Sequence, residues 1–179
     1  MQHPSEQLLE KQMAGEEAVK YIENDMVIGI GSGTTAAYMI QALAQRLREG
    51  LHIIGAVPTS DATAQLATTL GIPLTNLDTH PQLDLDIDGA DEIDGQLGLI
   101  KGGGGALLRE KIVAAASRRF IIIADSSKMV RQLGLRFPVP VEIIPFARTP
   151  VQYQLQALGA QVQIRQHNGQ VFHTDSGNP

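Results

Sequence analysis

The sequence contains no cysteine in its 179 residues. Disulfide bonds, thiolate catalysis and cysteine-ligated zinc are therefore excluded. It has no surplus of positive charge: 14 Lys and Arg stand against 19 Asp and Glu, a net charge of −5 with histidine neutral. A nucleic-acid or polyanion surface needs a basic stripe, so no nucleic-acid partner is expected, while a local basic pocket for one phosphate stays open. No apolar run approaches membrane-spanning length, so no membrane partner is expected either. The opening Met1-Gln2-His3-Pro4-Ser5-Glu6 has no basic region followed by an apolar one, and no secretory signal is read there. The expectation is a soluble cytoplasmic protein. Internal repeats and low-complexity segments are also missing.

Hydrophobic residues make up 43% of the chain, enough for one packed domain with a small appendage. Apolar spacing predicts a helix over 5–23 with Ser5 as N-cap, and a buried strand over 26–30. A helix over 36–49, a strand over 52–57, a helix over 61–70 and a strand over 83–87 follow. Beyond a glycine-rich loop come a helix over 106–117 and a β-branched strand over 119–124. Short apolar strands alternating with helices indicate an α/β fold with a mostly parallel sheet covered on both faces. In such sheets ligands bind beyond the carboxyl ends of the strands. The segments 31–35, 88–91 and 125–128 each follow a strand directly, which groups them. After Gly134 a proline-punctuated stretch, 137–145, marks passage into a second unit. There, 149–158 reads as a helix with Thr149 as cap and Pro150 at its first position. Segments 161–165 and 170–173 read as a hairpin turning at Asn168-Gly169.

Gly29-Ile30-Gly31-Ser32-Gly33-Thr34-Thr35 lies between a strand and a helix. Glycines there let backbone N–H groups converge on an anion at the positive end of the helix, and Ser32, Thr34 and Thr35 add hydroxyls. The dinucleotide pattern fails: its third glycine falls on Thr34, and no acidic residue ends the next strand. A nucleotide-triphosphate loop fails too, because no Gly-Lys-Ser/Thr follows.

Six of the eleven residues from Asp84 to Asp94 are acidic. A calcium loop starting at Asp84 would need a bidentate Glu at its twelfth position, which is Gly95. Leu85 and Ile87 alternate with acids, suiting a strand with one buried face, and Asp84, Asp86 and Asp94 suit a solvated acidic edge. Asp88 and Asp91 flank Gly89-Ala90, small enough for close ligand approach. Carboxylates held together can have their pKa values driven apart, which prepares one for acid–base work.

Lys101-Gly102-Gly103-Gly104-Gly105 is costly to order, which suggests a backbone that wraps closely around something. In the helix that follows, Leu107, Leu108, Ile112 and Val113 leave Glu110 off the apolar stripe. On spacing alone Glu110 reads as an exposed carboxylate paired with Arg109 or Lys111, and Lys101 as a solvated loop lysine.

Taken together, Gly-Ile-Gly-Ser-Gly-Thr-Thr, Asp-Gly-Ala-Asp-Glu, Lys-Gly-Gly-Gly-Gly-Ala-x-x-Arg-Glu-Lys and Ile-Ala-Asp-Ser-Ser-Lys resemble the ribose-5-phosphate isomerase A family, in order and spacing, from about Lys11 to Gly177. The resemblance implies a Rossmann-like catalytic domain over 1–136 and a small ferredoxin-like α/β lobe over 137–179. It implies interconversion of D-ribose 5-phosphate and D-ribulose 5-phosphate through an enediol(ate), without metal or organic cofactor. By motif, Glu110 would move the proton between C2 and C1. Asp88 and Asp91 would bind sugar hydroxyls and assist ring opening, with Lys101 and the amides of Gly102, Gly103 and Gly104 stabilising the oxyanion. Ser32, Gly33, Thr34, Thr35, Gly89 and Ala90 would line the substrate, with the hydroxyls of Ser32, Thr34 and Thr35 at its phosphate end, joined there by Lys128 and by Lys11 from the first helix. A homo-oligomer, dimer or tetramer, is expected. Family members continue for some tens of residues past a motif like Thr174-Asp175-Ser176-Gly177-Asn178. A truncated lobe of lowered stability is therefore expected, because an open hairpin edge invites pairing with other chains.

Two other functions fit parts of the pattern. A non-catalytic sugar-phosphate sensor would usually carry a DNA-binding helix-turn-helix, and only one helix fits before Met26. An amino-sugar phosphate deaminase would need a placed histidine, and His3, His52, His80, His167 and His173 all lie outside the motifs.

Overall fold

The computed structural model describes residues 4–179. His3 lies outside the described residues, as does the cap of the first helix. The chain divides into two compact units, Met1–Val139 and Pro140–Pro179.

In the first unit, α1 (Pro4–Ala18) opens on proline, where a missing N–H costs nothing, so Ser5 falls inside the first turn and is not the cap. The helix tightens into a 3₁₀ turn at Val19–Tyr21, short of the expected end at residue 23. Ala18, Val19 and Ile22 are buried, whereas Leu8, Leu9 and Met13 are exposed. Gly15 lets α1 close onto α2 (Thr34–Arg48): a Cβ there would lie 2.6 Å from the Met39 nitrogen.

The main sheet is wholly parallel, in the order β2–β1–β3–β6. Its strands are β1 (Val27–Ile30), β2 (Gly55–Pro58), β3 (Leu85–Gly89) and β6 (Phe120–Ile123). Helix α3 (Asp61–Thr69) follows β2, with Ser60 as N-cap accepting from the Thr63 N–H at 3.1 Å. Two short strands, β4 (Glu92–Ile93) and β5 (Leu99–Ile100), form a separate antiparallel pair. Helix α4 (Leu107–Ala116) comes after the glycine loop.

The two faces of the sheet differ. Ile28, Ile30, Ala56, Leu85 and Ile87 join the larger core, which includes Met39, Ile40, Leu43 and Ala67 from α2 and α3. Val27, Val57 and Leu83 pack with Val113 of α4 in a smaller core on the other face. Because side chains alternate along a strand, β3 sends Leu85 and Ile87 one way and Asp86 and Asp88 the other. β3 was expected to have one buried face; it has two, and Asp86 is not on a solvated edge but 0% exposed.

The second unit contains a 3₁₀ turn at Pro145–Ala147, α5 (Arg148–Ala157), and the hairpin β7 (Gln166–His167) and β8 (Gln170–Val171). The hairpin turns through Asn168 (φ 52°) and Gly169 (φ 77°), as the dipeptide predicts, but its first strand is shorter and later than expected. α5 begins one residue before Thr149, with Ala147 as cap, so Pro150 sits at the third helical position. Its missing N–H is still one that the first turn leaves unpaired. The Glu142 carboxylate accepts from the Thr174 hydroxyl at 2.8 Å and the Asn178 amide at 3.0 Å.

Gly31 is where backbone and site meet most tightly: a Cβ there would lie 2.0 Å from Asp88 Oδ1 and 2.5 Å from its Cα. Gly31→Ala should lower stability by about 2 kcal/mol or more, read from the urea midpoint. Gly95→Ala, where a Cβ meets nothing within 4 Å, should stay within about 0.5 kcal/mol of the parent.

Candidate active site

Asp88 ends the acidic face of β3 and is 0% exposed. Its Oδ1 accepts from the backbone N–H of Ser32 at 2.9 Å and of Gly89 at 2.7 Å. Its Oδ2 accepts from Lys101 Nζ at 2.9 Å. The Lys101 ammonium also donates to the Gly89 carbonyl and lies 3.1 Å from Glu110 Oε2. One cation thus ties together the end of β3, the glycine loop and the first turn of α4. Burial pulls the Lys101 pKa down, but the Asp88 and Glu110 carboxylates outweigh it and hold it above the ordinary lysine value.

Glu110 is buried, 6% exposed, and it pairs with Lys101 instead of Arg109 or Lys111. Two expectations fail here for one reason. α4 turns Glu110 and Val113 toward the acidic face of β3 and leaves Leu108 and Ile112 about half exposed. The apolar stripe therefore does not mark the inward side of this helix. Burial first, and Asp88 second, push the Glu110 carboxyl up to about 6 against the pull of Lys101. A carboxyl that titrates near neutrality is suited to taking up and giving back a proton.

Around this centre the glycine loop is held from two sides. Asp91 Oδ2 accepts from the Gly103 N–H at 2.7 Å, and a Cβ on Gly103 would lie 2.6 Å from Asp91 Oδ1 and 2.7 Å from the Phe137 ring. Gly102 (φ 101°) and Gly105 (φ 89°) adopt left-handed backbone that glycine alone enters freely. Phe137 is itself fixed by Glu92, a buried residue that sequence reasoning passed over. The Glu92 carboxylate accepts from the N–H groups of Gly134 (2.6 Å), Arg136 (2.7 Å) and Phe137 (2.8 Å). Burial raises its pKa, but these three donors and the Arg136 charge prevail and hold it below the ordinary value. Its place directly after Asp88-Gly89-Ala90-Asp91 was the available signal.

The hydroxyl side is built on Ser32. Its Oγ lies 2.7 Å from Thr59 Oγ1 and 3.3 Å from Thr63 Oγ1, while Thr63 donates to the Gly31 carbonyl at 3.0 Å. Gly33 (φ 94°) caps α2 in open space; Thr34 is exposed and Thr35 buried. Lys11 and Lys128 stand apart from the Lys101 cluster. Lys11 pairs with Asp125 at 3.8 Å, and Lys128 closes the 3₁₀ turn Ser126–Lys128 that Asp125 caps at the end of β6. Glu10 accepts from the Ser126 N–H at 2.9 Å, which ties α1 to that turn. Among the described residues, no group of three or more His, Asp or Glu side chains is arranged to hold a metal ion.

Residues 55–179 match the ribose 5-phosphate isomerase A (phosphoriboisomerase A) family. The chain belongs to that family. It is 52% identical over 169 residues to ribose-5-phosphate isomerase A of Sphingopyxis alaskensis, covering 94% of this chain and 73% of that one. With the Bacillus anthracis protein of the same name it shares 56% over 168 residues, 94% and 76% of the two chains. A solved D-ribose-5-phosphate isomerase in complex with phospho-erythronic acid superposes with a TM-score of 0.90 at 41% identity, covering 95% of this chain and 76% of that one. The Methanocaldococcus jannaschii enzyme gives 0.89 at 42%, covering 94% and 76%.

Removing the Glu92 charge tests the loop anchor. The folded carboxyl titrates below its unfolded value, so its contribution is present above the unfolded pKa and is lost as pH falls through the folded one. Glu92→Gln should therefore lower Tm at neutral pH, and the deficit should shrink as the pH is taken down through the carboxylate range.

Proposed function

We propose that this chain interconverts D-ribose 5-phosphate and D-ribulose 5-phosphate by proton transfer through an enediolate. The observation that carries the reading is Glu110, a buried carboxyl titrating at about 6, held 3.1 Å from the partly buried Lys101 ammonium.

With the open-chain aldose bound, the Glu110 carboxylate takes the proton from C2. The electron pair moves toward the C1 carbonyl, and Lys101 with the glycine-loop amides stabilises the oxygen where negative charge gathers. Glu110 then returns the proton to C1, while a hydroxyl proton passes from O2 to O1. Asp91, half-buried beside Gly103, has a carboxyl within reach of the loop for ring opening and hydroxyl work. Asp88, whose oxygens are already occupied, takes its share through Lys101. The helix end at Ser32, Gly33, Thr34 and Thr35, with Gly89 and Ala90 opposite, lines the sugar. The hydroxyls of Ser32, Thr34 and Thr35, with Lys128 from the turn after β6 and Lys11 from α1, would take the phosphate.

The structure with phospho-erythronic acid supports this reading, because that compound carries a phosphate and a carboxylate, as an enediolate carries a phosphate and an anionic oxygen pair. Catalysis is assigned to residues 1–136, with 137–179 as the smaller α/β lobe. The reading includes the non-oxidative pentose phosphate pathway and a cytoplasmic homo-oligomer, a dimer or tetramer. Exposed Leu8, Leu9 and Met13 on α1 support association. No helix among the described residues is long and apolar enough to cross a membrane.

The test is NMR with ribose 5-phosphate in D2O, following ketose formation and deuterium uptake from solvent. The wild type should show both, with kcat falling on the acid side as Glu110 protonates near pH 6. Glu110→Gln should lower kcat by at least about a thousandfold while sugar-phosphate binding changes little, a loss at the upper end of general-base contributions. Comparable turnover in that variant would remove Glu110 from the role.

A further inference from the structure

Asp86 has no part in the mechanism above, yet it lies directly beneath it. Its side chain is 0% exposed, and neither carboxyl oxygen has a hydrogen-bond partner. It points to the α4 face of β3: a Cβ on Gly29 would lie 2.5 Å from Asp86 Oδ1 and 2.5 Å from Val113 Cγ1, so the carboxyl occupies the gap between β1 and α4. Asp88 is two residues further along the same strand and Glu110 one helical turn before Val113. The Ile87 N–H is the one donor that bears on the Asp86 carboxyl, and it forms no well-aligned hydrogen bond, so burial disfavours the carboxylate against the neutral acid.

We propose that Asp86 is a positioning residue that carries a proton: a buried neutral carboxylic acid that keeps the charge balance of the Asp88–Lys101–Glu110 cluster right for an anionic intermediate. The argument is one of charge. When Glu110 has taken the substrate proton it is neutral, and Lys101 offsets Asp88, so the Asp88–Lys101–Glu110 cluster has no net charge. An ionised Asp86 would add a negative charge to that cluster and cancel the field that Lys101 directs at the developing oxyanion. The charged groups that bear on Asp86 are Asp88 on its own strand, Lys101 from the glycine loop and Glu110 from α4. Burial, then Asp88, and to a smaller degree Glu110, push its carboxyl up to about 7, with Lys101 and the Ile87 N–H pulling the other way. The cluster would therefore begin to lose its balance just above neutral pH.

The inference rests on the isomerase reading for its effect on turnover, and on the fold alone for the proton. Asp86→Asn keeps the shape and fixes the neutral state. A folded-state pKa raised from 3.8 to about 7 means that the folded chain holds a proton the unfolded chain releases. That stability is complete below the unfolded pKa and is lost as pH rises to the folded one. The Tm difference, Asp86→Asn minus wild type, should therefore climb between about pH 4 and about pH 7 and level off above. In parallel, kcat/KM of the wild type should drop roughly tenfold from about pH 7 to about pH 9, and that of Asp86→Asn less than about twofold.

A Tm difference independent of pH would overturn the proton assignment. Parallel pH–rate profiles in two folded proteins would overturn its effect on the chemistry. Wild-type protein without isomerase activity at any pH would overturn the isomerase reading, and Asp86's effect on turnover with it. The Tm comparison needs no substrate and tells the two failures apart. If Asp86→Asn does not fold, Asp86→Ala, which leaves no amide to satisfy, is read by the same two measurements.

Discussion

The partly buried ammonium of Lys101 organises the active-site cluster of this molecule. It touches Asp88 and the Gly89 carbonyl at the end of β3 and Glu110 of α4. A buried ion pair is a weak source of net stability, because desolvating each charge costs several kcal/mol. The compensation here is local: two backbone N–H groups hold Asp88, and Asp88 in turn holds the lysine. Losing either partner would leave a charge in the interior without a counterpart. The arrangement is therefore specific in geometry even where it adds little to stability, as a site for moving one proton requires.

The glycines of the first motif look different in this light. As a sequence, Gly29-x-Gly31-x-Gly33 reads as an anion cradle. In the structure, Gly29 makes room for the Asp86 carboxyl and Gly31 for that of Asp88. The Ser32 N–H points at the Asp88 carboxylate. Of the three, Gly33 at the open end of α2 has the positive φ and free space that an approaching ligand would use. The motif thus does two jobs, and the larger share is to let a strand of carboxylates lie against its neighbour.

The order of elements and the parallel sheet were legible because each strand is short, apolar and followed by a helix-forming stretch. Helix starts shifted by one residue: α1 already includes Pro4, and α5 begins at Arg148, with Ala147 at its cap position and no side chain capping it. Asp88 and Asp91 stood out from their place around Gly89-Ala90, but Lys101 and Glu110 were singled out only by resemblance to a family, because spacing alone read both as solvated. Glu110 shares its helix with Leu108 and Ile112, which face outward, so the hydrophobic stripe indicates the wrong side. Asp86 was unreadable for a related reason. Alternation shows that two residues share a face, but not that a helix 20 residues later will cover it. Glu92 stood in plain view after Asp88-Gly89-Ala90-Asp91, but its role was not legible, because its three backbone donors come from a loop about 40 residues away.

The same cluster explains how a pocket with two nearby carboxylates can accept an anion. If both stayed ionised through the reaction, the developing enediolate would meet a net negative wall. Proton abstraction avoids this, because Glu110 becomes neutral in the step that places charge on the substrate. One negative charge passes from enzyme to sugar, and the total within reach of Lys101 does not change. A low-dielectric interior penalises changes in total charge far more than redistribution at short range. Burial of Glu110 beside Lys101 therefore serves two ends. It raises the carboxyl toward neutrality, and it keeps proton and charge moving over a distance that one fixed ammonium can span.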